Sequence, residues 1–266
     1  MIRVSRFLAL LGFLGLPLSA QAPRLHITYL ANMGVLLEGG GKRVVIDGLH
    51  HGELAEYASV PPAMLDALEK ARAPFQQLDL MLTTHRHRDH FNATAVAARL
   101  LADSVVLFLA ARETVDSLHA RSAVAFAARR LLAIEPPPHG AVRRTLSDIA
   151  VEVLDLPHNP TPSARVANVG FLVTVGEQRV LHVGDADPTV ANFAPHRLAE
   201  RGIDVAIVPF WYLTDRNDAV RRAIGARRWI ATHIPPADAE AIRRQVLEVV
   251  PGAVVLIAPG ERHSLP

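Results

Sequence analysis

A short motif rich in histidine and aspartate offers several side chains that could ligate a metal ion. It spans residues 83–90, reads TTHRHRDH, and directly follows an apolar segment. In an extended backbone, residues two positions apart project to the same side, so His85 and His87 can point the same way. Asp89 and His90 fall on the following turn, where the backbone can direct them at a second, neighbouring point. Imidazole and carboxylate groups bind zinc and related divalent metals, so the motif predicts a metal site.

Three further candidate ligands lie downstream, each directly after an apolar, strand-like segment. They are His158 after Ile149–Leu154, Asp185 after Arg179–Val183 and His233 after Arg228–Thr232. A hydrolytic zinc site needs three protein ligands per metal and an open position for water, so the motif at residues 83–90 is not expected to be complete. Each downstream residue alone could be a capping or core-edge residue. Together with the motif, they favour a metal centre.

The segments that must position these residues predict an α/β fold. Strands are expected at Leu25–Leu30, Val35–Glu38, Arg43–Asp47, Leu78–Thr83, Ser104–Leu109, Ile149–Leu154, Gly170–Val175, Arg179–Val183, Asp204–Val208, Arg228–Thr232 and Ala253–Ile257. Helices are expected at Pro61–Ala71, Ala93–Ala102, Thr114–Leu132, Ala219–Ala226 and Ala237–Val249. The early hairpins favour antiparallel pairing. Two mixed sheets packed face to face, with helices outside, are therefore favoured over a doubly wound parallel sheet.

The first 22 residues have the pattern of a secretory signal peptide. Arg3 and Arg6 precede the apolar run Phe7–Leu16, which is too short to cross ~30 Å of hydrocarbon as a helix. Pro17 and several small residues follow. We therefore predict a signal peptide over residues 1–22, a mature domain over residues 23–266 and a periplasmic or secreted location. An uncleaved N-terminal anchor is the alternative, and no membrane span is expected in the mature chain.

Charge and cysteine content exclude several classes of partner and site. The chain has 28 Lys and Arg residues against 26 Asp and Glu residues. Removal of the predicted signal peptide, with its two arginines, would leave the two signs equal, so there is no basic surplus with which to bind nucleic acid. The absence of cysteine excludes disulfides and thiolate metal sites. A small-molecule substrate is expected, and the sequence leaves the oligomeric state open.

The order of these strands and motifs resembles that of the metallo-β-lactamase superfamily over residues 24–258. The resemblance implies a four-layer αββα sandwich of two mixed β-sheets with helices on the outer faces and a two-metal site at one edge. It implies one metal held by His85, His87 and His158, a second held by Asp89, His90 and His233, and Asp185 bridging both. Asp47 resembles the family's buried aspartate that supports the metal-binding loop. Residues 27–30 and 35–38 resemble the branch related to lactonases and phosphodiesterases.

The function that this resemblance implies is metal-dependent hydrolysis. We expect an exported dinuclear enzyme that uses a metal-bridging hydroxide to cleave an ester, lactone, amide or phosphodiester. Asp89 is the candidate catalytic residue, because it can orient the hydroxide or accept its proton. Two Zn²⁺ ions are the default, and Mn²⁺ or Fe²⁺ would also suit the ligands. The alternatives are a true metallo-β-lactamase, which Asp185 disfavours, and a non-catalytic metal-binding protein with the same fold.

Five residues outside the ligand set are candidates for the substrate pocket: His50, His51, Phe210, Trp211 and Tyr212. The two histidines follow Asp47 on a loop and could line the pocket mouth or be exposed to solvent. The three aromatic residues follow the strand expected at Asp204–Val208 and could form an apolar wall or pack internally. Arg86 and Arg88 could attract an anionic substrate or be solvated. Segment 110–142 could be a lid or a dimer contact.

Overall fold

Two mixed β-sheets packed face to face form the centre of the protein in a computed structural model, which describes residues 25–52, 54, 56–158 and 166–265. The predicted signal peptide, residues 1–22, lies outside the described residues. The strands in chain order are β1 (Leu25–Ala31), β2 (Gly34–Gly39), β3 (Lys42–Ile46), β4 (Leu80–Thr83), β5 (Leu107–Ala111), β6 (Leu131–Ile134), β7 (Ala141–Leu146), β8 (Ile149–Asp155), β9 (Val169–Val175), β10 (Gln178–His182), β11 (Val205–Pro209), β12 (Arg228–Thr232), β13 (Val254–Val255) and β14 (Arg262–Leu265).

Each sheet has seven strands and combines an antiparallel half with a parallel half. The first has the order β14-β1-β2-β3-β4-β5-β6, and the second has the order β13-β12-β11-β10-β9-β8-β7. Strands β3 to β6 run parallel to one another, as do β10 to β13. Because parallel neighbours end at the same edge of a sheet, the residues that follow β4, β10 and β12 can meet at one edge of the sandwich.

Helices cover both outer faces of the sheets. They are α1 (Pro62–Glu69), α2 (Ala93–Ala102), α3 (Arg112–Arg121), α4 (Val190–Phe193), α5 (Asp218–Ile224) and α6 (Ala239–Val249). Asn92 caps α2, because its side chain accepts the amides of Thr94 and Ala95. Among the described residues, no helix combines the length and hydrophobicity needed to cross a bilayer.

Three apolar layers hold the four structural layers together. The central layer lies between the two sheets and contains Ile27 and Val173. One outer layer joins the first sheet to its helices, with Leu68 and Leu100 at its centre. The other joins the second sheet to its helices and contains Phe193. Each sheet thus buries side chains on both faces, and the αββα sandwich predicted from the sequence is confirmed.

The long helix predicted at Thr114–Leu132 is wrong. Helix α3 ends at Arg121, a 3₁₀ turn covers Ala125–Arg130, and the last residues of the predicted helix begin β6. Strand β6 pairs in parallel with β5 and so completes the edge of the first sheet. Arg130 donates hydrogen bonds to three backbone carbonyls near the end of α2 and fixes this turn. Pairing with the sheet therefore overrides a sequence pattern that would also suit a helix.

Sequence reasoning also missed strands β7 and β14. Strand β7 forms a hairpin with β8 through Ser147 and Asp148, which have φ values of 48° and 61°. This left-handed turn suits the twist of a two-residue hairpin, but its residues lack the glycine that usually identifies one. Strand β14 pairs with β1 at the edge of the first sheet. Its alternation of exposed and buried residues is too short to stand out in the sequence.

Candidate metal centre

The seven candidate ligands predicted from the sequence lie together at one edge of the sandwich. His85, His87, Asp89 and His90 lie on the loop between β4 and α2, which belong to the first half of the chain. The other three follow strands of the second sheet: His158 follows β8, Asp185 follows β10 and His233 follows β12. The loops that end these strands therefore bring together side chains from distant parts of the sequence.

One group of potential ligand atoms consists of His85, His87 and His158. Their ligand atoms lie within 4.8 Å of one another. His85 Nε2 and His87 Nδ1 are 3.0 Å apart, and the ring centroid of His158 is 5.5 Å from those of the other two. Two nitrogen ligands of a tetrahedral zinc ion are separated by about 3.3 Å. The spacing of this group is therefore close to that of three ligands of one metal ion.

The second group consists of Asp89, His90, Asp185 and His233, all of them buried. His90 Nε2 is 3.5 Å from Asp89 Oδ2 and 3.3 Å from Asp185 Oδ1. His233 Nε2 is 3.5 Å from Asp89 Oδ2 and 3.3 Å from Asp185 Oδ2. Neither Nε2 atom makes a hydrogen bond of good geometry within the described part of the chain. Four donors at these separations, with two buried nitrogens unsatisfied, fit a divalent cation at their centre.

The carboxylate of Asp185 lies between the two groups. Its Oδ2 atom is 4.0 Å from His85 Nε2 in the first group and 3.3 Å from His233 Nε2 in the second. Its backbone amide donates to Asn168 Oδ1. Gly184, with φ of +58°, precedes it, and a Cβ atom there would lie 2.4 Å from Asn168 Oδ1 and 2.7 Å from Thr84 Cβ. Only glycine fits this close approach between the two halves of the sandwich.

The protonation pattern of the second group indicates a site arranged for positive charge. Burial by itself lowers the pKa of His233, but the carboxylates of Asp185 and Asp89 together outweigh burial and raise this pKa to about 8. Burial also acts to lower the pKa of His90, but its carboxylate neighbours, with Asp185 contributing most, raise this pKa well above its usual range. Burial would raise the pKa of Asp89, but His233 and His90 hold it well below its usual range. Without a metal ion, protons on the two histidines therefore balance the carboxylates.

In contrast, two histidines of the first group, His85 and His87, favour the neutral form. Burial, with a smaller contribution from the charge of His90, holds the pKa of His85 well below its usual range. Burial and the neighbouring His158 also lower the pKa of His87. A neutral imidazole is the form that ligates a metal ion. His85 and His87 can therefore bind a metal ion at neutral pH without loss of a proton.

Asp47 and Thr84 fix the orientation of two of the histidines. Asp47 Oδ1 accepts the backbone amide of Thr84 at 2.8 Å, and Oδ2 accepts the Thr84 hydroxyl at 2.7 Å. His90 Nδ1 also donates to Asp47 Oδ2, at 2.9 Å. Because the Thr84 hydroxyl donates its hydrogen bond to Asp47, its oxygen can accept a hydrogen bond from His85 Nδ1, 3.1 Å away. In the neutral form that binds a metal ion, both imidazoles then direct an unprotonated Nε2 atom at the ligand groups.

The family model for the beta-lactamase superfamily domain matches residues 42–257, and so includes Asp47 and all seven candidate ligands. The chain belongs to the metallo-β-lactamase superfamily. This membership agrees with the order of strands and helices described above. It also places the candidate metal centre inside the part of the chain that defines the superfamily.

Individual proteins are similar to this member of the metallo-β-lactamase superfamily over nearly the whole chain. A metal-dependent hydrolase from Aeropyrum pernix is 28% identical over 263 residues, which cover 90% of this chain and 97% of that protein. A possible metal-dependent hydrolase from Veillonella parvula has a TM-score of 0.62 at 16% identity and covers 92% of this chain and 100% of its own. The metallo hydrolase Igni18 from Ignicoccus hospitalis has a TM-score of 0.61 at 16% identity and covers 91% of this chain and 99% of its own. The two structural likenesses concern the fold alone.

In this metallo-β-lactamase superfamily member, a cavity of about 600 Å³ opens onto both ligand groups. Trp211 is the one residue of the predicted pocket set that lines it, with its ring centroid 4.9 Å from that of His233. Phe210 packs against Trp211 outside the lining, and Tyr212 is fully buried with its hydroxyl donating to the carbonyl of Ala186. The aromatic triplet therefore supplies one wall residue rather than three.

The two histidines predicted at the pocket mouth of this superfamily member do not line the cavity. His50 is completely buried below the metal-binding loop, where burial and the nearby His90 lower its pKa to about 4. His51 is exposed on the surface and lies 3.3 Å from Glu69. Two adjacent residues on an irregular loop face opposite ways here, so their identity alone did not reveal which one is internal.

Several residues around the site carried no signal in the sequence. Tyr57 lines the cavity, and its ring meets that of His233 edge-on at 4.5 Å. Arg121, at the end of α3, also lines it. Asn32 donates to Asp89 Oδ2 at 3.0 Å, and its carbonyl accepts the backbone amide of His233 at 3.0 Å. Each is a common residue type in an unremarkable context, and only the tertiary structure brings it to the site.

Proposed function

We propose that this protein is an exported, dinuclear metal-dependent hydrolase that cleaves an ester, lactone, amide or phosphodiester. The observation that carries the proposal is the position of Asp185 between two groups of ligand atoms, 4.0 Å from His85 Nε2 and 3.3 Å from His233 Nε2. One carboxylate shared by two sites offsets the repulsion between two dications. The A. pernix relative, itself named as a metal-dependent hydrolase, supports the same class of activity.

The side chains divide between two metal ions. His85, His87 and His158 would hold one ion, Asp89, His90 and His233 would hold the second, and Asp185 would contact both. An all-imidazole and carboxylate donor set suits zinc and excludes metals that require thiolate. When bound, the ions would polarise the scissile group of the substrate and lower the pKa of water at the site towards 7.

Asp89 is the proposed catalytic residue of this chain. Its Oδ2 atom faces both His90 and His233 and also accepts the amide of Asn32. Asn32 therefore fixes the rotamer of Asp89, so that its carboxylate can orient the attacking water and accept the proton that it loses. The low pKa of Asp89 keeps this carboxylate ionised, as a proton acceptor requires.

The proposed export depends on residues 1–22 alone. Their basic start, ten-residue apolar run and small residues at the end have the features that a signal peptidase substrate requires. Fractionation of cells that express the full chain would test this part of the proposal. Recovery of a protein shortened by about 20 residues outside the cytoplasm supports it, and retention of the full-length chain in the cytoplasm contradicts it.

Metal analysis combined with turnover tests the proposed activity. We expect inductively coupled plasma mass spectrometry to find about two divalent ions per chain in the purified protein, and far fewer in His85→Ala. The metal-loaded wild type should hydrolyse at least one class among chromogenic esters, lactones, amides and phosphodiesters. Asp89→Asn should retain much of the metal and lose activity.

Three results would contradict the proposal. Failure to bind metal after reconstitution with zinc and with manganese would remove its mechanism. Binding of two ions without turnover of any substrate class, including β-lactams, would instead favour a metal-binding protein that keeps the fold. Hydrolysis of β-lactams alone would identify the lactamase alternative. His196→Ala is a matched histidine control, because His196 is buried away from the ligand groups, against the carbonyl of Asp155.

A further inference from the structure

The charged residues at the cavity mouth are predominantly basic. Apart from the candidate ligands, the charged side chains that line the cavity among the described residues are Arg86, Arg88, Arg121 and Glu56. Among the described lining residues, three cationic side chains therefore accompany one anionic side chain. A concave surface lined by one sign of charge concentrates ligands of the opposite sign. The entrance therefore favours a negatively charged substrate.

Arg86 has a role within the fold. Its Nε atom donates to Glu113 Oε1, and Glu113 Oε2 accepts the backbone amide of Ala167 at 3.0 Å. Arg86 therefore ties the metal-binding loop to α3 and to the chain beyond His158. Its charge is largely compensated by Glu113, so it contributes little to binding a second anion.

Arg121 is different, because its guanidinium has no partner in the described part of the chain. It is exposed in the last turn of α3 and makes no hydrogen bond or ion pair with any described residue. It nevertheless lines the cavity beside Arg88. A guanidinium presents several N–H donors in a planar fork that matches the two oxygens of a carboxylate or the oxygens of a phosphate.

An apolar surface lies in the same cavity. The rings of Trp211 and Tyr57 both meet the ring of His233, at centroid distances of 4.9 Å and 4.5 Å. Both side chains line the cavity. A substrate that reaches the ligand groups therefore meets an aromatic wall as well as the basic mouth.

We propose that the substrate carries an oxyanion group, either a carboxylate or a phosphate, that is bound by Arg121. An apolar part of the same molecule lies against Trp211 and Tyr57. This inference rests on the proposed hydrolase function and names the class of its substrate. Arg121 determines specificity and takes no part in bond cleavage. It should therefore affect the binding of anionic molecules and leave that of neutral ones unchanged.

Binding of small aromatic probes tests this inference without turnover. Isothermal titration calorimetry on the zinc-loaded protein would compare benzoate and phenylphosphonate with neutral benzamide. We expect Arg121→Gln to weaken both anions about tenfold, as expected for loss of a charged hydrogen-bond donor, and to leave benzamide unchanged. The ratio of the two anions identifies a carboxylate or a phosphate as the preferred group. An anion can also contact the metal directly, so the contribution of Arg121 is measured by the difference in affinity between the wild type and the variant.

Arg129→Gln is the matched control, because Arg129 is exposed on the 3₁₀ turn after α3 and does not line the cavity. It should bind all three probes as the wild type does. Arg121→Lys retains the positive charge and should lose less affinity for the anions than Arg121→Gln. This comparison separates loss of the charge from a change in the fold. Equal affinity of Arg121→Gln and wild type for the anions, or no measurable binding of either anion to the wild type, overturns the inference.

Turnover separates failure of this inference from failure of the proposed function. If esters, lactones and phosphodiesters are hydrolysed while anion binding is independent of Arg121, the hydrolase stands and the anion site is overturned. If no substrate is hydrolysed while anion binding depends on Arg121, the anion site is supported and the hydrolase is contradicted.

Discussion

The hydrogen bonds of Asp47 and Thr84 determine which nitrogen of each buried histidine faces the ligand groups. An ionised carboxylate can only accept, so His90 must carry its proton on Nδ1, 2.9 Å from Asp47. The Thr84 hydroxyl, having donated to Asp47, accepts from His85 Nδ1. One carboxylate thus sets the tautomer of a histidine in each ligand group. Removing the charge of Asp47 should therefore weaken metal binding by both ligand groups.

We expect Asp47→Asn to lower metal affinity by about 10- to 100-fold, as loss of a partner that orients metal ligands does elsewhere. The asparagine amide presents N–H groups where His90 or Thr84 now donates, so at least one histidine loses its orientation. Competition with a chromogenic chelator measures the effect, and circular dichroism checks the fold. Asp79→Asn is the control, because Asp79 bonds Arg43 and Lys42 away from the site. Unchanged affinity in Asp47→Asn contradicts the assigned role.

At the scale of elements, helix α3 connects the two loops that carry the first ligand group. Glu113, in its first turn, accepts from Arg86, which lies between His85 and His87, and from the amide of Ala167 beyond His158. The end of the same helix places Arg121 at the cavity. The role of segment 110–142, which the sequence left open between a lid and a dimer contact, therefore includes support of the metal-binding loop.

Glu113→Gln should weaken the first metal site several-fold and change global stability little, because a partly exposed ion pair contributes about 1 kcal/mol or less. The amide replaces a charged acceptor of Arg86, and the two loops are then held less firmly. Stepwise metal titration would detect the loss. Glu135→Gln is a matched control, since Glu135 pairs with Arg112 of the same helix on the exposed surface. Equal metal affinities of the two variants would contradict the proposed role of Glu113 in holding the two ligand-carrying loops.

Helix α2 ends on a buried ion pair that holds its neighbours. Arg99 is completely buried and donates to Asp103 Oδ2 at 2.7 Å and to the carbonyls of Leu68 and Phe75. Asp103 Oδ1 accepts hydrogen bonds from the amides of Val105 and Val106, which directly precede β5. The pair thus joins α1, α2 and β5. It contributes to stability and lies away from the metal centre.

Asp103→Asn should lower the free energy of unfolding by roughly 3 kcal/mol, because it leaves the charge of Arg99 buried without a counter-charge. Urea unfolding measures this value. Asp218→Asn, which removes an exposed partner of Arg222 at the same i,i+4 spacing, should cost much less. Metal affinity should not change in either variant. A loss in Asp103→Asn as small as that in Asp218→Asn would show that the buried pair contributes little.

At the scale of the whole molecule, the metal centre connects the two sheets. Four candidate ligands follow β4 of the first sheet, and three follow strands of the second. The amide of His233 also donates to the carbonyl of Asn32, and that of Val169 donates to the carbonyl of Thr84. Metal ions held between the sheets would therefore stabilise the folded state of the entire domain.

We expect metal loading to raise the thermal unfolding temperature and chelation to lower it. A ligand that binds only the folded state at 1,000 times its dissociation constant contributes about 4 kcal/mol. Differential scanning calorimetry with zinc and with a chelator measures the shift. His85→Ala, which removes one ligand, should show a much smaller shift than the wild type. Identical unfolding temperatures with and without metal in the wild type contradict a site that joins the two sheets.

Short-range features of this protein could be predicted from its amino-acid sequence. The spacing within residues 83–90 places two imidazoles on one side of an extended backbone whatever surrounds them. Apolar runs followed by His158, Asp185 or His233 identified strand ends, since burial in a sheet requires such runs. These patterns were sufficient to predict the αββα sandwich, by resemblance, and to identify the seven side chains that the structure brings together.

Features that depend on contacts between distant segments of the chain could be seen only in the folded structure. Pairing with β5 made a strand of Leu131–Ile134, whose first two residues the sequence pattern assigned to a helix. The path of an irregular loop buried His50 and exposed His51. Long-range packing also placed Tyr57 and Arg121 at the cavity. Side-chain type and spacing fix short-range geometry, whereas burial and contact between distant segments arise only when the sheets and helices pack together.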